Sequence, residues 1–110
     1  MSVRDPNYVR WWIDQAAISP GEGLAEYAQF LSTLDSRPFL KRITVPMLIL
    51  APANSVATKL EEQRWIQSQV KGAQMEIIKN GGHEIYVGAS QHCQNALIKF
   101  LDSLHNTCAI

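Results

Sequence analysis

From Asp5 to Leu34 the apolar residues recur every three or four positions. From Pro46 to Ala51 they instead run unbroken. The first spacing is that of one helical face and the second that of a short strand buried on both sides. Asp5-Pro6 opens the first helix with an acceptor side chain at the N-cap and proline at the first helical position. Val9, Trp12, Ile13, Ala16 and Ala17 make its apolar face, widened by Trp11. Ser19-Pro-Gly-Glu-Gly23 interrupts the pattern. A second helix then carries Leu24, Tyr27, Phe30, Leu31 and Leu34 on one side, and Asp35-Ser-Arg-Pro38 reads as a turn. Phe39-Leu40 leads through Ile43 into the strand.

Beyond the Pro46–Ala51 strand, Thr58-Lys-Leu-Glu61 has the spacing of a capping box and predicts a helix over 58–71. Leu60, Trp65, Ile66 and Val70 should face inward, and Lys71-Gly72 is a helix stop. Gln74–Ile78 predicts a second strand, parallel to the first, with the helix as a right-handed crossover. Asn80-Gly81-Gly82 turns the chain and delivers His83. Ser90 is placed to cap a last helix whose inner face would be Cys93, Leu97, Phe100, Leu101 and Leu104. The expected class is α/β: two leading helices, then strand, helix, strand and helix.

Composition narrows the functional classes. The 110 residues suffice for one modest core, and ten basic side chains balance ten acidic ones. With no basic run longer than Lys41-Arg42, neither nucleic acid nor a membrane surface is expected as a partner. No apolar run approaches the length of a membrane span, and Met1-Ser-Val-Arg-Asp lacks a signal peptide's apolar stretch. Cys93 and Cys108 read as free thiols in a reducing compartment, which makes the cytosol the expected location. The final Cys-Ala-Ile is a faint peroxisomal address without its basic middle residue.

His83 is the sharpest candidate for chemistry. It follows the carboxyl end of the second strand, where open α/β sheets place their sites, and imidazole exchanges protons near neutral pH. The preceding glycines should let the ring approach the sheet freely. His92 and His105 are expected to be solvated, and neither has a metal-ligand neighbour at believable spacing. No Gly-x-Ser-x-Gly occurs. Ser55 lies between a strand and a helix, but Asn54 and Val56 lack the small side chains a nucleophile's strained turn requires. Metal and cofactor are not expected.

The run Val45-Pro-Met-Leu-Ile-Leu50, the Gly81-Gly-His-Glu84 turn and the Phe100-Leu101 helix end together resemble the C-terminal half of the α/β-hydrolase fold. Within that family the sequence is similar to fungal esterase or enol-lactonase-like hydrolases of secondary-metabolite and toxin pathways. The resemblance implies that residues 1–42 are a cap-like helical segment and 43–110 the C-terminal part of the catalytic domain. It places His83 at the catalytic-histidine position and the catalytic acid just after the first strand. Ser55 stands there, with Asn54 as the neighbouring register, and neither can carry the acid's charge. Glu61, Glu62, Asp14 and Glu22 are the other carboxylates weighed as substitutes. The implied protein is a truncated hydrolase relative, inactive alone, acting on a small ester or lactone only when an N-terminal half completes it. The alternative expectation is a non-catalytic module that pairs, or self-associates, through an exposed strand edge.

Overall fold

The computed structural model describes residues 5–108, with side chains from 5 to 106. The Cys108 thiol and both chain ends, on which the address signals were read, lie outside this range. The elements in order are α1 (Pro6–Ile18), α2 (Gly21–Thr33), a 3-10 helix (Arg37–Arg42), β1 (Leu48–Pro52), α3 (Leu60–Gln69), β2 (Gln74–Ile78), the single turn α4 (Ile85–Gly88) and α5 (Ser90–Cys108).

The two strands pair in parallel, with Leu48 opposite Gln74 and Pro52 opposite Ile78. Gln74 N–H donates to Met47 C=O and Ala53 N–H to Ile78 C=O, both at 2.9 Å, so the ladder continues past either end of β1. The first strand lies two residues later at its start than the apolar run suggests. Its burial is also uneven. Ile49 and Ala51 are buried while Leu48 and Leu50 are half-buried. Strand alternation separates the two faces. Ile78 clusters with Ile85 of α4 and Cys93 of α5, and Leu50 and Ala89 pack against them. The opposite parity leaves Ile49, Ala51 and Ile77 for the face towards α3, whose chain continues into buried Val70.

Several boundaries move for identifiable reasons. Thr58 does not cap α3, because its N–H and hydroxyl are both turned towards Ser55. The helix therefore starts at Leu60, and Glu62, not Glu61, accepts the free N–H of Lys59 at 3.1 Å. Gly72 terminates this unit in the left-handed region, φ +77°, where a Cβ would be strained. Trp65 is exposed and not inward. In α5 the covered stripe is Cys93, Ala96, Phe100 and Leu104, while Leu97 and Leu101 face outward. A two-stranded sheet is too narrow to cover the wider stripe. Phe39-Leu40 forms part of the 3-10 helix, with Leu40 buried.

α1 and α2 form where the caps and breaks place them. Asp5 Oδ1 accepts Asn7 N–H at 2.8 Å, and Ser19-Pro20 separates the helices. Neither helix buries a single residue. The radius of gyration is 17.0 Å over extents of 52 × 33 × 25 Å. A compact chain of this length would measure about 13 Å. No helix among the described residues is long and apolar enough to cross a membrane.

Candidate functional site

Two loops meet beyond the carboxyl ends of the strands. One leaves β1 with Asn54 and Ser55, and the other leaves β2 with Gly81, Gly82 and His83. Because the strands are parallel and in register to Pro52–Ile78, both loops emerge on the same side. The double glycine is needed for geometry more than for freedom. Gly81 and Gly82 have φ of +98° and +62°, and a Cβ on Gly88 would lie 2.5 Å from the Gly81 Cα. The His83 loop is thus folded tightly onto the end of α4, against the expectation of a freely swinging approach.

Asn54 and Ser55 do different work. Asn54 Nδ2 donates to the Lys79 carbonyl at 2.5 Å, tying the first loop to the root of the second. It does not reach the imidazole. Ser55 does: its Oγ lies 2.8 Å from His83 Nδ1. The same oxygen accepts N–H groups from Ala57 at 3.1 Å and Thr58 at 3.0 Å, with Thr58 Oγ1 at 3.3 Å. This is a side-chain-to-backbone turn, and it satisfies donors just ahead of α3. Ser55 is half-buried and His83 exposed.

None of the other carboxylates named from sequence takes this place. Asp14 pairs with Arg10 on α1 at 3.3 Å, Glu62 serves the start of α3, and Glu61 and Glu22 sit in exposed first turns. Glu84, adjacent to His83, accepts the Tyr8 hydroxyl proton. That hydroxyl in turn accepts Trp12 Nε1–H at 2.8 Å. The carboxylate beside it raises the Tyr8 pKa above its ordinary value, since a phenolate there would lose the hydrogen bond and face like charge. Tyr8 and Glu84 were not singled out in the sequence. Seventy-six positions separate them, and only the four-residue spacing of Tyr8 and Trp12 hinted at a shared face.

This tie brings α1 over the His83 loop. Between them runs an open groove of about 450 Å³, lined by Tyr8, Val9, Trp12, Ile13, the two glycines, His83 and Glu84. Its walls are largely apolar, and Ser55 is not among them. Ser55 meets His83 through Nδ1, the ring nitrogen nearer the backbone, and its own Oγ is held by the turn ahead of α3.

The other histidines fall outside this site. His92 Nε2 lies 2.8 Å from Glu76 Oε1, so it is paired across α5 and β2 rather than merely solvated. His105 is exposed. Cys93 is buried, and burial pushes its thiol pKa up. Among the described residues no three His, Cys, Asp or Glu side chains converge as a metal would require.

No protein-family model matches the chain, and no curated protein matches it. Solved structures do. An esterase (EaEST) from Exiguobacterium antarcticum superposes with a TM-score of 0.75 at 19% sequence identity, over 84% of this chain and 35% of that one. The fold is that of part of an α/β hydrolase, and the chain spans about a third of that esterase's length.

Proposed function

We propose that this chain is the histidine-bearing, C-terminal part of a serine-hydrolase arrangement, related to carboxylic-ester or enol-lactone hydrolases and inactive alone. The observation that carries the reading is the 2.8 Å hydrogen bond between Ser55 and His83 Nδ1, joining loops after two parallel strands. In a serine hydrolase the group at that nitrogen orients the imidazole, which then serves as base and acid at the reacting carbonyl. His83 stands at that position here, with the apolar groove under α1 receiving the hydrocarbon portion of a small ester or lactone. A nucleophile elbow is absent from the 110 residues. The fold shared with an esterase supports the reaction class. On sequence resemblance the reading extends to fungal secondary-metabolite or toxin pathways and to a cytosolic setting.

A second reading is a non-catalytic interaction module. The apolar faces of α1 and α2 lie uncovered beside a sheet of only two strands, and such a surface invites another chain.

The purified chain should hydrolyse p-nitrophenyl acetate no faster than a buffer blank. Turnover that survives repurification and disappears in Ser55→Ala would make Ser55 a nucleophile and overturn the reading. Sequencing upstream of the Met1 codon should reveal an in-frame or neighbouring Gly-x-Ser-x-Gly segment. Co-expressed with this chain, that segment should yield weak ester hydrolysis that His83→Gln lowers further. Hydrolysis indifferent to His83, or no such segment, would favour the interaction module.

A further inference from the structure

The bonds around Ser55 Oγ decide where the proton of neutral His83 resides. A serine hydroxyl has one proton to give and two lone pairs to receive with. Both lone pairs are taken by the backbone N–H groups of Ala57 and Thr58, at 3.1 and 3.0 Å. Those amides are obligatory donors and cannot reverse their role. Ser55 is left with its proton alone to offer. The Thr58 hydroxyl, 3.3 Å away, is itself turned towards Ser55 Oγ, so the acceptor left for the Ser55 proton is His83 Nδ1 at 2.8 Å. A ring nitrogen that accepts a proton donor must itself be bare.

We infer that Ser55 is a positioning residue that locks neutral His83 with its proton on Nε2. That is the tautomer opposite to the one a general base at this position needs. A carboxylate in place of Ser55 could only accept, and would draw the proton to Nδ1, leaving Nε2 free to take one from a nucleophile. The hydroxyl acts in the other direction. It keeps the imidazole in place and oriented while occupying the working nitrogen with hydrogen. The nearest chemical parallel is an amide replacing the acid of a serine-protease triad. There the geometry survives and turnover falls about 10⁴-fold because the tautomer is wrong. Ser55 builds the same condition into this chain, so His83 is held in a masked state that one substitution would release. The catalytic consequence rests on the hydrolase reading above, whereas the tautomer is a property of the chain itself.

The test is to read the two ring-nitrogen shifts of His83 by ¹H–¹⁵N correlation on the full chain. A pH of about 8.5 keeps imidazoles neutral, and His83→Gln provides the assignment. If the chain self-associates, the same shifts are read by magic-angle spinning on sedimented protein. In the parent, the Nε2–H form should exceed the Nδ1–H form at least tenfold, a larger excess than free histidine amide shows in the same buffer. Ser55→Asn should keep that bias, because its carbonyl serves the Ala57 and Thr58 amides while its NH₂ donates to Nδ1. Ser55→Ala should relax to the free-histidine ratio, and Ser55→Asp should reverse it. Parent shifts matching free histidine amide, or a dominant Nδ1–H form, would overturn the inference without reference to any variant. An Asp variant that is folded by circular dichroism yet unreversed would do the same. Co-expressed with the upstream segment, Ser55→Asp should raise ester hydrolysis on the order of 10⁴-fold. A reversed tautomer with no gain in hydrolysis would leave the tautomer standing and remove the hydrolase reading instead.

Discussion

In α1 and α2 no residue is buried, whereas every buried residue among those described lies between Leu40 and Cys93. Both regions are rich in apolar residues at regular spacing, so hydrophobicity does not separate them. What separates them is a partner surface. β1 and β2 give α3 and α5 two faces to cover, and Ile78 is 1% exposed in consequence. Trp12 and Phe30 meet no such surface and remain 47% and 56% exposed. An amphipathic stripe is a demand for a neighbour, and only half of this chain satisfies it internally.

The comparison fails most visibly if the strand-and-helix core is not where stability resides. Ile78→Ala removes a side chain buried against Ile85 and Cys93 and should cost about 2–5 kcal/mol. Urea unfolding followed by circular dichroism should show the cooperative transition shifted to much lower denaturant, or lost. A smaller loss is expected of Cys93→Ser, which puts a hydroxyl at a residue only 7% exposed. The Ala89 carbonyl one turn earlier offers that hydroxyl a partner, so the cost should be about 1–2 kcal/mol in the same assay.

Phe30→Ser probes the other region. The unfolding free energy should move by less than about 0.5 kcal/mol, because no core contact is lost. The expectation that copies self-associate through exposed apolar surface is checked in the same variant: sedimentation equilibrium should then show less association than in the parent, since a large exposed ring is gone. An unchanged association state would mean that α2 is not the surface through which copies meet. The smallest effect is expected at the joint between the regions. Arg37 donates to both oxygens of Asp35 at 2.8 Å and lowers the carboxyl pKa from its ordinary 3.8 to about 2. A depressed pKa means the folded chain favours the ionised form. The contribution is therefore full above the ordinary value and lost as the pH falls from about 4 through 2. Both groups are solvent-exposed, so Asp35→Asn should only slightly flatten the acid limb of a melting-temperature profile.

The sheet and its crossover were legible because short apolar runs between Pro, Gly and capping residues leave few alternatives. Helix faces were harder to read. Period alone marked Leu97, Leu101 and Trp65 as inward, although two strands cover only a narrow stripe. The start of α3 was misplaced because a serine three residues upstream competes for Thr58, and a capping pattern read locally cannot register that competitor. At the site, His83 could be located from its strand and turn. That Ser55 occupies the place opposite its ring came from family resemblance, and the spacing of 28 residues says nothing of a contact. The Tyr8–Glu84 tie had no local signal at all.

The contact between Gly81 and Gly88 has a consequence for how this sequence could diversify. A Cβ at either position would strike backbone of the other, so the two act as one unit under substitution. The segment between them is pinned at both ends, which sets its length as firmly as its path. In a library randomised over residues 81–88, insertions and deletions should vanish among folded survivors, and both ends should return as glycine. Exposed Tyr86, between them, should vary freely. The loop that presents His83 is thus a cassette of fixed size, open to new surface chemistry and closed to changes of reach.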